Sequence, residues 1–257
     1  MITLTTDFGL KDPYVAEMKG VILSINSQAQ IVDITHEVDK FSVRMGAYIL
    51  ASVAPYFPDE VVHVVVVDPG VGTSRRAIVI QTKRACFVGP DNGVLMLAAQ
   101  AEGIEHIHEL KNPKLMLPQV SSTFHGRDIF APVAAHLSLD VEPSVFGEEI
   151  TDPVIPQFVK VENKKGSLNV EVLHVDGFGN VITNLTRRDL AESTSVLIAF
   201  HHVSLQLPLT KTYAEIKPKE AAALFGSNGF LEIALNRGSF AEKYKLNSGD
   251  RIEVASV

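Results

Sequence analysis

The chain has 257 residues, 46% of them hydrophobic and 21% charged, with a formal net charge of −7. That balance suits a folded chain of one large domain or two of ordinary size. It argues against a general binder of nucleic acid or anionic membrane, which needs a basic surface to displace phosphate counterions. One cysteine, Cys86, allows neither a disulfide framework nor a thiolate metal site.

The first seven residues carry no basic region and no long apolar core, so no signal peptide is expected. No uncharged apolar stretch approaches the ~20 residues that span a bilayer, and a cytoplasmic protein is the expectation. Residues 2–6 predict a first strand ending at Asp7-Phe8-Gly9. Val15, Met18, Val21, Ile22 and Ile25 recur at helical spacing and predict a helix over 13–25, with Asp12 as its cap. A strand over 30–34 and a helix over 42–53 follow. Residues 61–67, Val-Val-His-Val-Val-Val-Val, read as a central strand buried on both faces of a parallel sheet. The run stops at Asp68 and is broken by Pro69-Gly70. Strands over 77–81 and 86–88, a short helix over 94–101, a strand over 104–109 and a helix over 128–137 complete an alternation. It predicts an N-terminal α/β sandwich domain with a mostly parallel sheet over residues 1–147. Residues 148–156 read as a linker. Strand-like runs then dominate, at 168–175, 181–185, 196–200, 231–235 and 251–254, with a turn at 163–166 and helical periodicity only over 218–224. Residues 157–257 are therefore expected to form a C-terminal β-barrel domain.

Several side chains stand where chemistry is usual. Ligands of open α/β sheets bind beyond the carboxyl ends of the strands, where Asp7 and Asp68 are expected. Asp7 suits the hydroxyls of a ribose, although an Asx-turn uses the same residue. Asp12 is also an ordinary helix cap. Arg75 and Arg76 follow Asp68 within a short loop. His125-Gly126-Arg127-Asp128 puts a histidine and an arginine before a helix that Asp128 would cap. Asp176-Gly177-Phe178-Gly179-Asn180 joins an acid, an aromatic and an amide in a Gly-framed turn, suited to stacking on a purine and reading its edge. The turns at Ser227-Asn228-Gly229-Phe230 and Asn236-Arg237-Gly238-Ser239 are binding loops in second place. No His-Glu-x-x-His or comparable spacing calls for a metal, which leaves Asp7, Asp68, Asp91 and His125 as the one conceivable cluster.

In order, these motifs resemble the S-adenosylmethionine hydroxide adenosyltransferases, relatives of fluorinase and chlorinase. The resemblance rests on Thr-Asp-Phe-Gly at 6–9, Val-Asp-Pro-Gly-Val-Gly at 67–72, Pro-Asp-Asn-Gly at 90–93 and Thr-Phe-His-Gly-Arg-Asp at 123–128. Asp-Gly-Phe-Gly-Asn-Val-Ile-Thr-Asn at 176–184 and Ser-Asn-Gly-Phe-Leu-Glu-Ile-Ala at 227–234 complete it. It implies an α/β domain, a β-barrel domain, and a homotrimer with sites between subunits. The implied reaction is attack of water on the 5′ carbon of S-adenosyl-L-methionine, giving adenosine and L-methionine with no metal and no cofactor. The family's Asp-Arg-His set falls on Asp68, Arg75 and His125. By position Asp7 would hold the ribose, Asn180 the adenine, and Phe178 and Tyr213 would stack near the base. Asp176 and Ser227 would bind the methionine ammonium and carboxylate, with Asp12 nearby, and Asn228 and Asn236 would contribute from the turns at 227–230 and 236–239. Phe41 matches an aromatic that covers the nucleoside. The halogenating relatives carry a tyrosine where this chain has Asp68, and a carboxylate repels a halide. The alternatives are a chloride adenosyltransferase, a metal-dependent nucleotidase using Asp7, Asp68 and His125, and a non-catalytic adenosine- or S-adenosylmethionine-binding protein.

Overall fold

The computed structural model describes residues 1–164, 166–190 and 192–257. The chain divides into two compact units, Met1–Ile155 and Pro156–Val257. In the first, β1 (Ile2–Thr6), α1 (Tyr14–Ile25), β2 (Ile31–Thr35), α2 (Val43–Val53) and β3 (Val61–Val66) come first. They are followed by β4 (Ala77–Thr82), β5 (Ala85–Pro90), α3 (Met96–Glu102), β6 (Ile104–Glu109) and α4 (Ala131–Leu137). The sheet order is β2-β1-β3-β5-β4-β6. β2, β1, β3 and β5 run parallel, while β4 is antiparallel to both its neighbours. Only Lys83 and Arg84 separate β4 from β5, too short a link for a parallel crossover.

β3 is buried along its whole length. Val62, Val64 and Val66 share a core with Ile2 and Leu4 of β1, Met18 and Ile22 of α1, and Val133 and Ala134 of α4. On the other face α2 comes so close that a Cβ on Gly46 would lie 3.1 Å from methyls of Val67 and Val94. Helices on both sides explain the unbroken apolar run. Its polar interruption, His63, is buried with Nδ1 2.8 Å from Thr3 Oγ1 and its ring stacked on Phe87. Desolvation, assisted by the Arg84 charge, pushes its pKa down from 6.5 to about 4. Between these values the unfolded chain binds the proton and the folded chain does not. The stability linked to His63 is thus complete above pH 6.5 and lost as pH falls through about 4. We expect urea unfolding to show about 3 kcal/mol of this loss between pH 7 and pH 4. His63→Leu should flatten that segment of the stability curve, and an unchanged slope would contradict the assignment.

Two local expectations need correction. Asp12 does not cap α1, because Pro13 occupies the cap position with a helical backbone and no side-chain bond is made. Ser42 does cap α2, accepting from the Met45 N–H at 3.4 Å. The helix expected from residue 128 begins instead with a π-helical turn over Gly126–Phe130, and α4 proper starts at Ala131.

The second unit contains β7 (Glu162–Lys164), β8 (Ser167–Val175), β9 (Val181–Thr186), β10 (Ser195–Phe200) and β11 (Val203–Pro208). β12 (Ala221–Phe225), β13 (Phe230–Leu235), the short α5 (Phe240–Tyr244) and β14 (Arg251–Ser256) complete it. Pairing is antiparallel throughout, in the order β11-β10-β14-β8-β9-β13-β12, with β7 on β8. The ends of this path meet where Thr210 donates to the Ala223 carbonyl at 2.9 Å, so the sheet is a nearly closed barrel. Val172, Val181, Leu185, Ile198, Phe240 and Ile252 are among its filling. The helix expected over 218–224 is absent. Its alanines have helical propensity, but β12 pairs with β13 from Ala221 to Phe225, and that pairing prevails. Lys165, in the turn expected at 163–166, lies outside the described residues. Among the described residues no helix is long and apolar enough to cross a membrane.

Candidate active site

From β1 the chain places β2 on one side and β3 on the other, which makes the gap between β1 and β3 the topological switch point of the sheet. Asp7 and Asp68 follow the carboxyl ends of these two strands. Both line a cavity of about 590 Å³, together with Asp12, Phe41, His125 and Arg127.

Asp68 is held from behind by Arg75, the two side chains being 5% and 8% exposed. Arg75 Nε donates to Asp68 Oδ1 at 3.1 Å and its Nη2 donates to Asp68 Oδ2, a bidentate clamp. The same Nη2 lies 2.9 Å from His125 Nδ1, while Nη1 donates to the Arg76 carbonyl at 3.1 Å. The guanidinium also lies over the Phe130 ring, 5.5 Å from its centroid. One guanidinium thereby joins the carboxylate of its own loop to a histidine 50 positions away. The loop between them depends on Gly72, at φ +75°, where a Cβ would stand 2.1 Å from the Ser122 carbonyl oxygen. The loop and the 121–124 segment touch backbone to backbone there.

Burial lowers the pKa of His125, and the Arg75 charge lowers it further against the opposing pull of Asp68 and Asp128. The ring is neutral at neutral pH. Because its Nδ1 accepts from Arg75, the ring hydrogen belongs on Nε2. His125 is therefore a donor at its remaining nitrogen.

Asp7 is buried, and its Oδ2 accepts the Phe41 N–H at 2.9 Å. Lys40 Nζ donates to the Asp7 carbonyl. Phe41 has φ 65° and a 68% exposed side chain, a strained backbone held at the rim of the cavity. Phe8, Tyr14 and Phe124 meet edge to face in the same wall, at centroid distances of 5.2 to 5.8 Å. Arg76 serves elsewhere. It donates to Asp91 at 2.8 Å and to Asp152 at 2.7 Å, tying the 152–154 segment to the sheet.

The second unit has a cavity of its own, about 470 Å³, lined by Asp176, Phe178, Asn180, Tyr213 and Asn236 among others. Phe178 is 82% exposed. Asp176 Oδ1 accepts the N–H groups of Phe178 and Asn180, and its Oδ2 accepts from Asn180 Nδ2, each at 2.9 Å. The carboxylate thus fixes its own turn and aims the Asn180 amide. Gly179, at φ +79°, is required because a Cβ there would meet Ser239 Oγ at 2.0 Å. The Tyr213 hydroxyl donates to Glu232, whose pKa is raised by burial, with the Asp176 charge adding to the effect. Ser227 and Asn228 lie in the exposed turn between β12 and β13, joined at 3.3 Å, and do not line this cavity.

The structure therefore gathers Asp7, Asp12, Asp68 and His125 around one cavity, and Asp176, Phe178, Asn180, Tyr213 and Asn236 around another. Arg75 stands behind Asp68 rather than in the lining. Sequence reasoning missed Tyr14, Glu17 and Lys40 in the first cavity and Glu232 behind Tyr213. The first three flank the motifs at 6–9 and Phe41, which is the only signal they leave in the sequence. Among the described residues no group of three or more His, Cys, Asp or Glu could hold a metal ion. The conceivable cluster is dispersed because Asp68 is clamped by Arg75, and Asp91 accepts from Arg76 and the Val154 N–H.

Residues 2–147 match the family model for the SAM hydroxide adenosyltransferase N-terminal domain, and residues 170–253 match that for the C-terminal domain. An (R)-S-adenosyl-L-methionine hydrolase of Salinispora arenicola is 37% identical over 258 residues, covering 99% of this chain and 97% of the relative. A fluorinase of Nocardia brasiliensis is 28% identical over 291 residues, covering 99% and 96%. The crystal structure of an uncharacterized conserved protein from Thermotoga maritima superposes with a TM-score of 0.87 at 39% identity, covering 99% of this chain and all of that one. Both family models fall in order on one chain, and the chain belongs to the SAM hydroxide adenosyltransferase family.

Proposed function

We propose that the protein hydrolyses S-adenosyl-L-methionine to adenosine and L-methionine, by attack of water on the 5′ carbon without a metal or a cofactor. The observation that carries the reading is the Asp68–Arg75–His125 cluster at the end of β3. Relatives named as (R)-S-adenosyl-L-methionine hydrolases support it at 37% to 39% identity over 95% to 99% of the chain.

The chemistry asks little of an acid. Carbon 5′ bears a sulfonium, and the thioether of methionine leaves neutral. As the water oxygen bonds to carbon 5′, the carbon–sulfur bond breaks and one water proton becomes strongly acidic. It needs an acceptor already in place, and the larger share of the barrier is met by holding water in line. Asp68 is that acceptor. Each of its oxygens accepts from Arg75 and keeps a second lone pair for water. His125 cannot be the base, because its Nδ1 accepts from Arg75 and its Nε2 carries the hydrogen. It holds the guanidinium in place, and its ring hydrogen is turned to the Ser121 backbone. A halide beside Asp68 would meet a like charge, costing about 4 kcal/mol at 4 Å in a medium of intermediate dielectric. Water carries no such penalty.

The adenosine-side roles follow the resemblance, with Asp7 on the ribose hydroxyls and Asn180, Phe178 and Tyr213 about the adenine. Asp176 and Ser227 would serve the methionine end, with Asp12 nearby, Asn228 beside Ser227 and Asn236 in the turn after β13. We place these halves together in a homotrimer acting in the cytoplasm, with sites completed between subunits. A monomer in sedimentation equilibrium would remove that arrangement. The activity itself is tested by incubation with S-adenosyl-L-methionine in excess chelator and in chloride. Equal amounts of adenosine and methionine are expected. A 5′-chloro nucleoside, or activity abolished by the chelator and restored by a divalent cation, would contradict the reading.

A further inference from the structure

Asp128 has no role in the chemistry above, yet residues 117–124 are organised around it. The reason begins at Pro132, in the first turn of α4. Proline has no N–H to donate to the carbonyl four residues earlier, which is that of Asp128. The helix opens into a π-helical turn, in which the Ala131 N–H reaches the Gly126 carbonyl. The freed Asp128 carbonyl accepts the Leu117 N–H at 3.0 Å, and the Asp128 N–H donates to the Phe124 carbonyl at 3.1 Å. Its carboxylate is fully buried. Oδ2 accepts the Ser121 N–H at 2.8 Å and Oδ1 accepts from Arg127 Nε at 2.7 Å. Arg127 continues to Glu17 of α1 at 2.8 Å, with its guanidinium over the Phe124 ring.

This matters because the segment so anchored touches the water-handling cluster at two points. His125 follows it directly and reaches Arg75 at 2.9 Å. The Ser122 carbonyl bears on Gly72, in the loop that joins Asp68 to Arg75. A shift of the segment would move His125 and that loop together.

We propose that Asp128 is a positioning residue for the hydrolysis, holding the 117–124 segment so that His125 and the 68–75 loop keep Arg75 in register with Asp68. Arg127 and Glu17 extend the anchor to α1. The inference rests on the hydrolase reading of the site.

Asp128→Asn tests it, because it preserves shape but sets an uncharged amide against Arg127. Turnover should fall about 10- to 100-fold, the scale of small misplacements in a catalytic geometry. KM and the affinity for adenosine should change less than about threefold, since the groups read as holding adenosine are untouched. Nitrogen-15 NMR of the histidines supplies a readout independent of turnover. If His125 loosens from Arg75, its Nδ1 resonance should move away from that of a nitrogen accepting from a charged donor. The resonance is read rather than the titration, because burial and Arg75 lower the pKa of His125 while Asp68, Asp128 and the Ser121 backbone raise it, and the variant disturbs several of these together. Should Asp128→Asn fail to fold, Asp128→Glu keeps the charge but displaces the carboxylate from the Ser121 N–H, and the same changes are expected in smaller measure. Unchanged turnover in a folded variant overturns the proposal. So does a loss of turnover matched by a loss of adenosine binding while the His125 Nδ1 resonance stays in place. If the wild-type protein releases no adenosine, the hydrolase reading fails first, whereas an active wild type with an unaffected Asp128→Asn rejects the positioning role alone.

Discussion

Replacing Asp68 with asparagine should lower kcat for adenosine release by about 10²- to 10⁴-fold, the range expected for removing a positioned proton acceptor. The substitution keeps the shape of the side chain, and an amide oxygen still accepts from Arg75. It cannot take a proton from the attacking water. Its NH₂ group must also face either the guanidinium or the water, so the bidentate clamp is reduced to a single bond. Adenosine should still bind, because the groups proposed to hold it, Asp7 and the loops of the second unit, are unaffected. Calorimetric titration with adenosine should therefore give an affinity within about threefold of wild type, as expected when only an interaction of the transition state is lost. Turnover within a few-fold of wild type would mean that Asp68 is not the acceptor. Loss of adenosine binding together with turnover would mean that Asp68 builds the pocket instead.

Arg75→Gln is expected to be costly for stability as well as for rate. Asp68 and Arg75 are both more than nine-tenths buried, and the arginine is the ionic partner of the carboxylate. Breaking a buried pair from one side leaves an uncompensated charge, which typically costs about 3–5 kcal/mol. Urea unfolding at pH 7 should show a loss of that order in the single variant. The double variant Asp68→Asn with Arg75→Gln should recover part of it, since no buried charge is then stranded. A loss below about 1 kcal/mol in the single variant would show that water solvates Asp68 more fully than its 5% exposure implies. Turnover should fall in every case, because His125 and Asp68 lose the group that joins them.

What the sequence revealed and what it hid follow from the range of the interactions. The β-branched run at 61–67 announced β3, because a strand covered on both faces can carry apolar residues without alternation. Asp68 and Arg75 were visible as an acid and a base on one short loop. His125 was visible as part of a motif, although its bond to Arg75 crosses 50 positions. Asp12 was misread because a cap depends on the backbone angles of one residue, and Pro13 took that position. The 218–224 segment was misread because alanine spacing fits a helix until a neighbouring strand is available. Asp128 was read as a cap for α4. Its carboxylate pairs with the adjacent Arg127, a contact the sequence suggests, and accepts the Ser121 N–H, which leaves no pattern in side-chain identity. The same holds for Asp7, whose partner is the N–H of Phe41. Ser227 and Asn228 were suggested by resemblance and stand outside the cavity in the second unit.

The central claim is direct displacement at carbon 5′ by water. It is tested most directly by running the reaction in ¹⁸O-labelled water, with chelator present, and examining the adenosine by mass spectrometry. The account predicts one ¹⁸O atom per adenosine, on the 5′ hydroxyl, with one methionine released for each. Unlabelled adenosine, label at another position, or no adenosine at all would contradict it.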